Sequence, residues 1–119
     1  MIMGVGVDIV KIERFAKKPL SQNLKNRLFT PHEQAYLKNR KANSMAGLFA
    51  AKEAIAKAIG TGFKGFWPND IEIQHDENGK PHVKLHGNAK KATPSGSFSV
   101  SISHNETDAV AFAILSTTN

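Results

Sequence analysis

The chain has 119 residues, enough for one compact domain and too few for two ordinary ones. It has no cysteine, which excludes disulfides and thiolate zinc sites and fits a reducing compartment. Sixteen Lys and Arg against ten Asp and Glu give a formal charge of +6, which favours an acidic or phosphorylated partner. Arg14, Lys17, Lys18, Lys25, Arg27, Lys38, Arg40 and Lys41 crowd the first third.

The opening "MIMGVGVDIV" lacks a basic leader and meets Asp8 early, so it does not read as a signal peptide. No apolar run approaches the roughly 20 residues of a membrane span, and the expected location is the cytoplasm. The mostly apolar, β-branched run "GVGVDIVKI" predicts a strand over about Met3 to Ile9, an interior element interrupted by Asp8. A short helix is expected from near Ser21. "TPHEQAYLKNR" starts another, with Thr30 as N-cap, Pro31 at the first helical position and Glu33 completing a capping box.

Ser44 is expected to cap the next helix and Gly60 to end it. "NDIEIQH", "DENGK" and "PHVKL" read as strand, turn and strand, with Ile71 and Ile73, then Val83 and Leu85, alternating with polar residues. "GNAKKA" suits a short helix. "SFSVSISH" alternates strictly and sets Phe98, Val100 and Ile102 on one face; "DAVAFAIL" is the last strand. Helices cluster in the first half and antiparallel strands in the second. That order predicts an α+β fold, with helices packed on a small antiparallel sheet over a single domain, 1–119.

The helix from Ser44 to Ile59 is apolar nearly all round and carries only Lys52, Glu53 and Lys57 as charges. Such a helix is normally buried. Glu53 and Lys57 stand at i and i+4, within mutual reach; as a surface pair they would contribute only about 0.3–0.5 kcal/mol. A solvated face would carry more polar residues, and a buried charge costs several kcal/mol unless paired or bound to metal. The expectation is that Glu53 and Lys57 point into a site.

Asp8 alone would be read as capping whatever follows its strand. Together with Glu53 it makes a half-site for a hard cation such as Mg²⁺, whose shell water and substrate phosphates complete. Lys57 would then face a phosphate or a leaving oxygen. Gly60 and Gly62 allow close backbone approach to a ligand, or simply a helix stop and a turn. Ser103 and His104, adjacent on a strand, point to opposite faces and make a poor nucleophile and base. A ligand-facing or a structural His104 is expected instead.

"GVGVDIVKIERF", "FTPHEQAYL", "FAAKEAIAKAIGTG", "IEIQHDENGKPHVKL" and "SVSISHNETDAVAFAIL" occur in this order from Gly4 to Leu115. In this set the chain resembles the holo-acyl-carrier-protein synthase family, the short kind of 4′-phosphopantetheinyl transferase. The resemblance implies the 4′-phosphopantetheinyl transferase-like fold and a homotrimer, with sheets around a central axis and active sites between subunits. It implies Mg²⁺-dependent transfer of 4′-phosphopantetheine from coenzyme A to a serine of apo-acyl carrier protein, in fatty acid biosynthesis. Adenosine 3′,5′-bisphosphate leaves. By the same resemblance Asp8 and Glu53 are the metal ligands and Lys57 is the lysine near the pyrophosphate. Phe49, Gly60, Gly62, Ser103 and His104 are expected on the coenzyme side. Arg14, with Lys25 and Arg27 in the basic first third, is expected to meet the acidic carrier protein. One departure is Leu48, where the family usually has arginine; Lys52 or Lys41 could stand in.

Two other classes compete. A nucleic-acid-binding domain suits the net charge, but it lacks aromatics interleaved with basic residues and leaves Asp8 and Glu53 unexplained. A Mg²⁺-dependent hydrolase of nucleotide pyrophosphates would use the same half-site without a carrier protein. Neither nucleic acid nor membrane is an expected partner.

Overall fold

The computed structural model describes residues 1–117, so the end of the tail "STTN" lies outside the described residues. The chain runs β1 (Ile2–Lys11), α1 (Glu13–Ala16), α2 (Gln22–Leu28), α3 (Pro31–Leu37), α4 (Ala42–Ile59), a 3-10 turn (Pro68–Asp70), β2 (Ile71–His75), β3 (Pro81–Leu85), α5 (Gly87–Ala92), β4 (Ser97–His104) and β5 (Asp108–Ser116). The α+β expectation holds. The strands, however, form two sheets: a three-stranded one in the order β1-β5-β4 and the hairpin β2-β3, all antiparallel.

Local signals set most helix starts. The Ser21 hydroxyl accepts from the Leu24 N–H, and Thr30 and Glu33 form the capping box with both bonds present. Helix α4 starts two residues before the expected cap: Lys41 takes the N-cap backbone, without a side-chain bond, and Ser44 lies inside the first turn. Its far end is as expected, with Gly60 in the left-handed region at φ 105° and its N–H on Ala56 O.

Strand β1 is longer than expected, and only one of its faces is interior. Val5, Val7 and Ile9 stand 55, 54 and 67% exposed, whereas Gly6 and Val10 are buried and Asp8 is half-buried. The glycines face α4 because the helix backbone abuts the strand directly. A Cβ at Gly4 would lie 1.9 Å from Ala58 O, and one at Gly6 1.9 Å from Ala54 O. Only glycine permits that approach. Asp8 shares the inward face and is thereby carried to α4.

On β4, Phe98, Val100 and Ile102 point inward as expected, opposite Leu115, Ala113 and Ala111 of β5. The outward face of the sheet is laid out in rows. Val5, Ile114 and Ser99 are neighbours, then Val7, Phe112 and Ser101, then Ile9, Val110 and Ser103. An apolar stripe thus grades into a serine stripe. The core lies between the inward face, α4 and the β2-β3 hairpin, with Phe29, Leu48, Ile55, Ile71, Ile73 and Leu115 among its fully buried residues.

Candidate active site

The site forms where β1 meets the C-terminal half of α4. The two elements share an extensive seam, and the glycines of β1 keep the helix close enough for side chains to bridge. Lys57 Nζ donates to Asp8 Oδ1 at 3.2 Å and to the Val7 carbonyl at 3.0 Å. Lys57 does not form the simple surface pair with Glu53, one turn back, that the spacing alone allows. The lysine crosses to the strand instead, where a carboxylate and a carbonyl satisfy two of its three N–H groups. The lysine side chain is 51% exposed and the aspartate 18%, so the pair stands at a cleft edge.

Glu53 is half-buried and enters no ion pair among the described residues. Burial above all, then the charge of Asp8, pushes its carboxyl above the ordinary range; Lys57 and Arg14 pull it back in part. Two carboxylates and one lysine leave an excess of negative charge aimed at one place. The donor set is all oxygen and suits a hard cation that retains water and takes phosphate oxygens. No group of three or more His, Asp or Glu that could enclose a metal occurs among the described residues. Asp8 and Glu53 are the two carboxylates here that could hold such a cation.

Phe49, one turn before Glu53 on α4, is buried against Phe15 with ring centroids 5.7 Å apart. Arg14 lies over the Phe49 ring at 5.3 Å and the Phe15 ring at 5.9 Å. It is exposed and close enough to influence Glu53, so it borders the site. Lys25 and Arg27 sit apart on α2, where the Arg27 guanidinium covers the exposed Trp67 ring at 5.7 Å. Gly60 and Gly62 both donate N–H to Ala56 O and close the helix.

Ser103 and His104 point to opposite faces as expected. Ser103 ends the outward serine stripe. His104 Nε2 lies 3.0 Å from Asn43 Nδ2, so the amide donates and the ring nitrogen accepts. Both border a cavity of about 270 Å³ between α3, α4, the hairpin and β4, which Leu48 and Arg40 also line. Arg40 lies over the Tyr36 ring at 4.0 Å, and Tyr36 stacks on His75 at 4.2 Å. Burial, and then Arg40, hold His75 below its ordinary range. Arg40 and Asn43 escaped the sequence, since nothing local ties them to His104, 61 residues from Asn43.

Lys52 cannot stand in for a basic residue at position 48. Its side chain and that of Glu33 are both fully buried, and its Nζ donates to Glu33 Oε1 at 2.5 Å, Ile71 O at 2.6 Å and Pro68 O at 3.1 Å. Burial pulls the Lys52 ammonium below its ordinary range, and Glu33 opposes that. Among the charged residues of α4, this one answers to the core.

Comparison with known proteins agrees with this geometry. Residues 4–113 match the family model of the 4′-phosphopantetheinyl transferase superfamily. A holo-[acyl-carrier-protein] synthase of Clostridium botulinum (strain Eklund 17B / Type B) is 49% identical over 120 residues, 97% of this chain and 98% of the relative. That of Clostridium novyi (strain NT) is 48% identical over all of this chain and 91% of the relative. Among solved structures, an acyl carrier protein synthase of Plasmodium yoelii with ADP bound superposes with a TM-score of 0.88 at 34% identity, covering 100% of this chain and 98% of that one. A Bacillus anthracis holo-(acyl-carrier-protein) synthase in complex with CoA (3′,5′-ADP) gives 0.84 at 33% identity, covering 99% of both. With fold and sequence in agreement over nearly the whole length, the chain belongs to the 4′-phosphopantetheinyl transferase superfamily, in its holo-[acyl-carrier-protein] synthase branch.

Proposed function

We propose that the protein transfers 4′-phosphopantetheine from coenzyme A to a serine of apo-acyl carrier protein with the help of Mg²⁺, in the cytoplasm, for fatty acid biosynthesis. The observation that carries the metal reading is the meeting of Asp8, Glu53 and Lys57 at the β1–α4 seam. The carrier serine Oγ attacks the phosphorus that bears the pantetheine arm. The bond from that phosphorus to the bridging oxygen breaks, and adenosine 3′,5′-bisphosphate leaves with that oxygen; the serine proton passes to a base at the site. Mg²⁺ held by Asp8 and Glu53 would neutralise the pyrophosphate and its developing charge.

The chain's own residues do the rest. Lys57, fixed by Asp8 and the Val7 carbonyl, keeps a positive charge and a spare N–H directed to the cleft. Gly60 and Gly62 leave the backbone open beyond the helix end, with no heavy atom within 4 Å of a Cβ built at either. His104, Asn43 and Arg40 line a cavity on the coenzyme side, and Arg40 supplies there the positive charge that Leu48 does not. Arg14 borders Glu53, and it is placed to meet an acidic carrier; Lys25 and Arg27 extend the basic surface and raise the rate of encounter.

The outward rows of β1, β5 and β4 suit a homotrimer. Val5, Val7, Ile9, Val110 and Phe112 form a continuous apolar stripe on an otherwise polar chain. Patches of this kind mark association surfaces. Ser103 ends the stripe, so a neighbouring subunit on that face would lie beside the His104 segment. Val7→Asp is expected to lower the mass measured by light scattering from three chains to one. A trimeric variant would remove this face from the interface.

The reaction is tested by incubating the protein with apo-acyl carrier protein and coenzyme A, with Mg²⁺ or with EDTA, and weighing the carrier. Gain of one phosphopantetheine only with Mg²⁺ is expected. No gain on a carrier known to be a competent acceptor would overturn the proposal.

A further inference from the structure

Helix α4 carries two of the three site residues, and most of its buried surface is made of small side chains. Of its eleven buried residues six are alanine and one is glycine. Shallow side chains make shallow ridges, and shallow ridges resist a small rotation weakly. Directional polar contacts resist it strongly, because a hydrogen bond weakens steeply off its axis.

Two constraints of different kinds grip the helix from opposite sides, one a close backbone contact and the other a set of hydrogen bonds. On one side the Ala54 and Ala58 carbonyls abut Gly6 and Gly4 of β1. Lys52 precedes Ala54 by two residues, about 200° around the axis. It therefore leaves from the far side. There its three N–H groups have three acceptors, on α3, the 3-10 turn and β2. Glu33 is equally committed: Oε1 also accepts from Thr30 N at 2.9 Å, and Oε2 accepts from Ile73 N at 2.7 Å. Glu53 lies between the two grips, about 100° from each.

We infer that Lys52 and Glu33 are positioning residues for Glu53: the buried pair sets the roll of α4 and thereby the place of the Glu53 carboxylate relative to Asp8. The inference rests on the metal reading proposed above. A helical side chain tip lies about 5–6 Å from the axis, so a roll of about 20° moves it by about 2 Å. A cation site tolerates about 0.2 Å. The tie is worth having for that reason alone, whatever it adds to stability.

The test is the double variant Glu33→Leu/Lys52→Met in the full chain. Exchanging both partners of a buried pair for apolar residues of similar size often leaves stability unchanged. Mn²⁺ is titrated into protein holding coenzyme A and followed by electron paramagnetic resonance, beside a thermal melt and a crystal structure. A near-native melting temperature with Mn²⁺ bound about 10–100-fold more weakly is expected, as for other residues that orient a ligand, together with a rolled α4. A folded double variant with native Mn²⁺ affinity and an unmoved α4 would overturn the inference. Should the double variant fail to fold, Glu33→Gln takes its place, read by Mn²⁺ affinity and the roll of α4 alone, because it leaves Lys52 buried without its counter-charge and a lower melting temperature is expected. If the unmodified protein binds no Mn²⁺, the metal reading fails by itself, and the crystal structure of the variant decides whether the pair sets the roll.

Discussion

Two lysines five residues apart on α4 each meet a carboxylate, and they do opposite things. Lys52 and Glu33 are 0% exposed and every donor and acceptor between them is taken. Among the described residues, Lys57 is half-exposed with one N–H free of protein partners, while Asp8 has the unpaired Glu53 beside it. A closed network is a structural fastening, since any change to it strands a buried charge. An open one with surplus negative charge has capacity left for a ligand. Exposure and satisfaction, and not the chemistry of the residues, separate scaffold from site here.

The sharpest way to break the contrast is to remove one partner on the closed side. Lys52→Met leaves Glu33 buried without its counter-charge and is expected to lower stability by about 3–5 kcal/mol, read by urea unfolding. Lys57→Met, at the open pair, is expected to change stability by no more than about 1 kcal/mol in the same experiment. Equal losses would abolish the distinction.

Gly6→Ala attacks the seam that both lysines depend on. Its new Cβ would stand 1.9 Å from Ala54 O, a backbone atom that cannot turn aside. The strand and helix must separate, at a cost of roughly 1–3 kcal/mol. The separation acts along the line from β1 to α4, so it also spreads Asp8 from Glu53. Calorimetry would give the stability loss, and the carrier-protein assay a larger fall in kcat than in coenzyme A affinity. Undisturbed stability would mean that the seam is looser than the glycines indicate.

Much of this was legible in the sequence, and the failures share one cause. The Thr30–Glu33 box, the Ser21 cap, the Gly60 stop and the alternation of β4 are local patterns, and local geometry satisfies them. Asp8, Glu53 and Lys57 stood out because charges inside apolar runs need a reason. Partners were another matter. Spacing put Lys57 within reach of Glu53 and gave Glu33 only its cap, whereas Lys57 bonds a residue 49 positions away and Glu33 also holds Lys52 and Ile73. Hydropathy likewise marked the whole of β1 as interior. The strand buries its glycines, because what it meets is a helix backbone rather than a cavity to fill. Tertiary proximity decided each case, and a single chain's spacing carries no record of it.

The smallest change in stability belongs to the open side and runs in the unusual direction. The Glu53 carboxyl is raised above its ordinary range by burial and by Asp8. A raised acid lends stability that is complete below its unfolded value and is lost as pH rises through the raised one. At pH 8 the metal-free protein therefore holds the unpaired Glu53 carboxylate close to Asp8 at some expense. Glu53→Gln relieves it, so the metal-free variant is expected to melt at or slightly above the native temperature at pH 8, and the difference should vanish near pH 4. Added Mg²⁺ should stabilise the native protein by about 1.4 kcal/mol at ten times the dissociation constant, raising its melting temperature, and leave the variant where it was. Transfer activity should disappear in the same variant. A variant that Mg²⁺ still stabilises would mean that the surplus charge on α4 has some other purpose than holding the cation, and the open pair would need a different ligand.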